Sequence, residues 1–279
     1  CMFNYVGSSP DISKCTFNEN MTYGCSYCSG AGMANKSDSS PIVDSCDFTS
    51  NYSSVGAAGM INEIDCDALI TNCLFSGNVL FEDPFPQYTN YGAGMINTSS
   101  QPVIIDCIFS GNVAGYWGRG GAMYNAWSAV TLTNVVFINN TAQHFGGAIF
   151  MDNEWESVYT NCTFFGNSTD WLGGAVFLRN STGLYENSIF WGNTAGTAGN
   201  QICYIGGEGK TDFYHCDMQG GTAAFGYYNE GTYTGTYTGN YVNNIDADPL
   251  FVDALNENLR LYGNSPAVNT GNNSYNSEP

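Results

Sequence analysis

Asn134-Val135-Val136-Phe137-Ile138-Asn139-Asn140, followed by Gly146-Gly147-Ala148-Ile149, is answered by Asn161-Cys162-Thr163-Phe164-Phe165-Gly166-Asn167, followed by Gly173-Gly174-Ala175-Val176. The core of the phrase, a Phe with an Asn three residues later, occurs seven times: Phe17/Asn20, Phe48/Asn51, Phe75/Asn78, Phe109/Asn112, Phe137/Asn140, Phe164/Asn167 and Phe190/Asn193. Two residues before the Phe stands Cys15, Cys46, Cys73, Cys107, Val135, Cys162 or Ser188, and Cys216 opens a degenerate copy with Met218 for Phe. Successive slots are separated by 31, 27, 34, 28, 27, 26 and 28 residues. Repetition at that period means a solenoid.

An apolar residue lies five positions before each Phe, from Ile12, Val43 and Ile70 through Ile104, Leu132, Tyr159 and Tyr185, with Phe213 before Met218. Asn or Asp often precedes the Cys slot, as at Asn72, Asp106, Asn134, Asn161 and Asn187, which marks a corner. Three short apolar strands per unit, with turns rich in Gly and Asn and no helical period, predict a single-stranded parallel β-helix of about eight rungs. In the Cys-x-Phe strand, alternation turns Cys and Phe inward and the intervening Thr16, Asp47, Leu74, Ile108 or Thr163 outward. Stacking then aligns like with like: a Cys ladder, a Phe ladder and a ladder of Asn at the turns. The small Gly and Ala clusters permit close approach of neighbouring rungs.

With these motifs in hand, the chain resembles the chlamydial polymorphic outer-membrane proteins and related bacterial surface proteins with right-handed β-helix passengers. The resemblance covers roughly residues 12 to 218. Residues 243 to 271, including Asn244-Ile245-Asp246-Ala247-Asp248-Pro249-Leu250-Phe251-Val252-Asp253 and Ser265-Pro266-Ala267-Val268-Asn269, are similar to the closing segment of secreted bacterial β-helix proteins. It implies an all-β, pectin-lyase-like architecture, with repeats over 1–241 and a closing segment over 242–279. It implies no single activity, since such helices serve enzymes, adhesins and structural proteins alike.

Six basic residues against 25 acidic give a net charge of −19, which repels nucleic acid and anionic membrane surfaces. No stretch approaches the roughly 20 apolar residues of a membrane span. The chain opens within repeat-like sequence, with no leader-like segment, and is expected to be a processed or truncated form from a secreted or cell-surface setting.

Catalysis on acidic glycans calls for convergent carboxylates or a calcium ion with a cationic base. The cations are Lys14, Lys36, Arg119, Arg179, Lys210 and Arg260, and the histidines His144 and His215 stand in a turn and a corner slot. The Asp-Asp, Gly-His-Gly and Arg-x-Lys groupings of polygalacturonase relatives are absent, so a non-catalytic role is expected. The acidic groups Glu63/Asp65/Asp67, Glu82/Asp83 and Asp152/Glu154/Glu156 read either as solvated loops or as calcium ligands. The eleven cysteines divide between the ladder and Cys25, Cys28, Cys66 and Cys203, with Cys25-Ser26-Tyr27-Cys28 a possible local disulfide.

Nine Asn-x-Ser/Thr sequons suggest glycosylation. Asn20, Asn51 and Asn167 double as ladder residues, whereas Asn35, Asn97 and Asn180 follow the small-residue cluster and are the better acceptors, with Asn139, Asn161 and Asn272 behind them. Tyr233, Tyr237 and Tyr241 form a run that could stack on a glycan or a partner. Outward aromatics, among them Trp117, Trp127, Trp155, Trp171 and Trp191, support an adhesin as the alternative. Cys1-Met2-Phe3 repeats the Cys-x-Phe phrase only 14 residues before Cys15, too few for a circuit. That interval predicts a strand completed by another copy, hence head-to-tail assembly into a filament or surface layer.

Overall fold

The computed structural model describes residues 1–23, 30–81, 91–154, 156–205, 208–229, 231–268 and 270–272. Four parallel walls run the length of the molecule. The first has nine strands, from Met2–Tyr5 through Met33–Lys36 to Phe225–Tyr228; the second has nine, from Asp11–Ser13 to Tyr241–Val242. The third, the Cys-x-Phe wall, has eight strands from Thr16–Asn18 to Asp217–Met218. A fourth wall of seven two-residue strands, such as Val79–Leu80 and Thr141–Ala142, follows the FxxN turn. Sequence reading assigned three strands per rung because two residues are too few to show alternation.

The register is that of the repeat. Phe75 sits beside Phe48 and Phe109, and Ile70 beside Val43 and Ile104. The Phe rings from Phe17 to Phe190 form one continuous stack, with centroid spacings from 4.5 Å at Phe164–Phe190 to 5.1 Å at Phe109–Phe137. All of them from Phe48 onward are fully buried. At the corner into the third wall, Ser45, Asn72, Asp106, Asn134, Asn161, Asn187 and His215 adopt φ between 51° and 56°. Asn and Asp tolerate this left-handed conformation better than most residues, which explains their frequency there.

The turn Asn form the expected ladder. Asn78 Nδ2 donates to Asn112 Oδ1 at 2.9 Å and to Phe48 O at 2.8 Å, and the same amide-to-amide pattern continues through Asn140, Asn167 and Asn193. The glycines of the small clusters approach the next rung closely: a Cβ on Gly121 or Gly147 would collide with the carbonyl oxygen of Gly147 or Gly174.

One expectation about the ends needs correction. Cys1-Met2-Phe3 does not belong to the Cys-x-Phe wall. Met2, Phe3 and Asn4 pair with Met33, Ala34 and Asn35 in the first wall, so the 14-residue interval is the ordinary distance between walls within one circuit. Phe3 points outward and is 60% exposed. The strand is paired within its own chain, which removes the reason for calling on another copy to complete it.

The segment from 242 onward does two things. Tyr241–Val242 and Ile245 complete the last rung. The rest then turns back along the outside of the third wall. Phe251 packs edge-on against Phe165 at 5.3 Å, Glu257 accepts from Ser110 at 3.1 Å and Asn139 at 3.2 Å, and Asn272 exchanges hydrogen bonds with Asn187. It therefore straps several rungs together as well as closing one end.

Candidate functional sites

A second Asn ladder runs inside the first wall, and sequence reading missed it. Asn4 donates to Asn35 at 2.7 Å, Asn35 to Asn62 at 2.8 Å, Asn62 to Asn97 at 2.8 Å and Asn97 to Asn125 at 2.9 Å. Asn35 and Asn97 are wholly buried members of it. Their choice as preferred glycan acceptors is thereby corrected: a folded chain offers no room for a sugar there, and each amide is already engaged. Of the other acceptors, Asn139 and Asn180 are exposed, while Asn161 and Asn272 are partly covered. The ladder stops where Met151 takes the next position, leaving Asn125 Nδ2 buried without a partner.

The tyrosine run also changes meaning. Tyr237 and Tyr241 pack on the end of the interior, Tyr237 lying 5.2 Å from Phe225 and Tyr241 6.2 Å from Phe213. The Tyr237 hydroxyl bonds with Thr211 O and Asn240 O, each at 2.7 Å. These two half-buried rings pack over the last rung; Tyr233 is the exposed member, at 47%.

Ladder thiols behave as small apolar groups with weak polar contacts. Cys46 Sγ donates to Asp44 O at 3.3 Å and accepts from the Cys15 amide at 3.4 Å, and Cys73 and Cys107 repeat the pattern. No disulfide links the described cysteines, whose side chains stack in parallel. Burial pushes Cys46 up to about 11 and Cys162 and Cys216 up to about 12, which keeps them as thiols. Cys25 and Cys28 lie outside the described residues.

The acidic groups disperse. Glu63 pairs with Lys36 at 2.7 Å; Asp67 accepts from the Gln101 amide at 2.6 Å; Glu82 and Asp83 lie outside the described residues. Asp152 is buried against Arg179, whose Nε donates to it at 2.7 Å, and accepts from the Tyr124 hydroxyl at 3.1 Å. Glu154 turns into the interior, where its carboxyl accepts a hydrogen bond from Ser157 and its other oxygen has no partner. Burial raises Glu154 from 4.5 to about 8. Among the described residues, no three His, Cys, Asp or Glu side chains come together as a metal site.

His144 is packed among Trp117, Phe145 and Trp171, at ring distances of 4.5, 4.2 and 4.6 Å. Burial, aided by the Arg119 charge, lowers it to about 4. His215 holds the corner slot anticipated for it and lies 3.2 Å from Thr270 O.

Two surface grooves are lined by described residues. One, of about 230 Å³, lies where the returning strap meets Asn161, Asn187, His215 and Asp217. Asp217 is almost wholly buried, with one oxygen unpartnered, and burial raises it to about 6. The other, of about 280 Å³, lies at the corner leaving the first wall and is lined by Asp65, Ser99, Gln101, Trp127 and Asn153. In the sequence Trp127 is only one of five outward indoles; its neighbours come from three other rungs, which no local reading of the sequence could assemble.

Comparison with curated proteins and with solved structures gives no match. A family profile described as "Right handed beta helix region" matches residues 5–216, most of the chain and nearly all of its rungs. With its parallel walls, aligned ladders and left-handed corners, the chain belongs to the right-handed β-helix family.

Proposed function

We propose that this chain is a non-catalytic structural protein of the cell exterior, a rigid rod that carries surface features on a sealed interior. The observation that carries this reading is where two strongly shifted acid–base groups lie. Glu154 and His144, whose shifts are of the size found at catalytic sites, are both held by packing: Glu154 buried in the interior beside Ser157, and His144 half-buried in an aromatic stack. Each shift arises chiefly from burial, and packing accounts for both. Glycosylation at Asn139 or Asn180 and self-association belong to this reading, the latter through a surface other than an incomplete first strand.

Incubation with pectin, polygalacturonate and alginate, with and without calcium, tests it. No unsaturated uronide absorbance and no new reducing ends are expected. Cleavage that Asp217→Asn abolishes would replace the structural reading with an enzymatic one centred on the strap groove. Sedimentation and negative-stain imaging of the same protein would separate rods that associate from rods that remain single. An adhesin is the second reading, favoured by the exposed indole of Trp127.

A further inference from the structure

The corner that leaves the first wall places residues of successive rungs in the left-handed conformation: Val6, Ser37, Ile64, Ser99, Trp127, Asn153 and Asn180, with φ from 49° to 63°, of which Val6, Ile64 and Trp127 are not short polar residues. Ser and Asn are short and polar, and Asn is among the few residues that visit this conformation readily. A bulky aromatic residue there is an outlier that costs free energy, and outliers of this kind gather at functional sites. The Trp127 side chain is not drawn into the packed interior in return. It is 60% exposed, and its ring stacks on no other aromatic ring among the described residues. Trp117, also left-handed and 48% exposed, instead packs edge-on against His144 and Tyr116.

Around the free indole lie hydrogen-bonding groups of a particular kind. Asp65 supplies a carboxylate, Ser99 a hydroxyl and Gln101 an amide; all three residues are exposed, and their side chains have no hydrogen-bond partner among the described residues. Asn153 closes the groove from the next rung, its amide held by Asp152 at 2.9 Å. A flat apolar face bordered by side chains able to accept and donate matches a ligand that is apolar on its faces and hydroxylated at its rim. A pyranose ring has that form. The nearby carboxylate and the net charge of −19 select against anionic sugars.

We infer that this groove is a carbohydrate subsite in which Trp127 stacks on a neutral pyranose while Asp65, Ser99 and Gln101 bond its hydroxyls. The site deepens the adhesin reading, which rests on the same indole, and is independent of self-association and of the strap groove, so its failure leaves the structural reading standing. A groove of about 280 Å³ accommodates one or two sugar rings, so affinity for a single chain is weak, with Kd on the order of 1 mM.

The test is calorimetric titration of the intact chain with cellohexaose, chitohexaose and mannohexaose, with trigalacturonate as the charged control. Binding of at least one neutral hexasaccharide, with no binding of trigalacturonate, is expected. Trp127→Asn installs the residue that the next two rungs already use, so it should melt at the same temperature or higher. It should nevertheless weaken binding about tenfold or more, as loss of an aromatic contact of about 1.5 kcal/mol would do. Trp117→Asn should leave binding unchanged. The inference is overturned if none of the three neutral probes binds at about ten times that Kd, if trigalacturonate binds as well as they do, or if Trp127→Asn binds as the parent does.

Discussion

Replacing Glu154 by Gln should remove a pH dependence that the buried carboxyl imposes on the whole fold. Glu154 is fully buried, and burial raises its pKa from 4.5 to about 8. The folded protein therefore holds this proton more tightly than the unfolded chain does. For an acid shifted upward, the associated stability is complete below pH 4.5 and is lost as pH rises through 4.5 toward 8. At about 1.4 kcal/mol per decade, the whole window amounts to about 5 kcal/mol. His144, lowered to about 4, works in the opposite sense: its stability is present above 6.5 and lost as pH falls toward 4. Asp217, raised to about 6, shares the sign of Glu154 and has lost most of its contribution by that pH. The interval from pH 6.5 to 8 thus isolates Glu154 from both. Across it, the parent chain should lose about 1.5–2 kcal/mol in urea melts, and Glu154→Gln should lose almost none. The comparison is of slopes, so any uniform cost of the amide cancels. A parent whose stability is flat over that interval, or a Gln variant that keeps the decline, would refute the placement of this carboxyl in the sealed interior.

Three further outcomes are expected. Phe137→Ala, which opens a hole between Phe109 and Phe164 in the ring stack, should cost about 3–5 kcal/mol in denaturant melts, whereas Thr163→Ala on the outer face should change stability by about 0.5 kcal/mol or less. Asn62→Leu should cost about 2–6 kcal/mol by the same measurement, because it leaves Asn35 Nδ2 and Asn97 Oδ1 without their partners in a dry interior. Among the described cysteines, Cys1 and Cys15 should react with a thiol reagent under native conditions, while the buried ladder from Cys46 to Cys216 should react only on unfolding; mass spectrometry of labelled peptides reads the difference.

The fold and its interior were legible in the chain because the solenoid repeats one circuit. Each Phe, Cys and turn Asn meets its own counterpart in the next rung, so a one-dimensional period states a three-dimensional contact. The outward Thr163, the corner at Asn161 and the structural place of His215 followed from position within the repeat. What the period could not state is which wall a short or degenerate phrase joins. Cys1-Met2-Phe3 matches the Cys-x-Phe wording, yet register with Met33-Ala34-Asn35 assigns it to another wall. Asn35 and Asn97 read as acceptors because they follow the small-residue cluster and lie off the FxxN ladder, and only stacking revealed a polar ladder inside an apolar wall. Tyr237 and Tyr241 fall where the repeat fails, so their inward turn depended on the open end they cover. The Trp127 groove is wholly tertiary: the rest of its lining comes from rungs about 26 to 62 residues away from Trp127 in sequence, brought side by side by the roughly 4.8 Å spacing of paired strands. The sequence alone determined the solenoid and the identity of most inward residues, since like must stack on like. The tertiary structure decided which polar groups are sealed in and which are presented, because that depends on neighbours one circuit away.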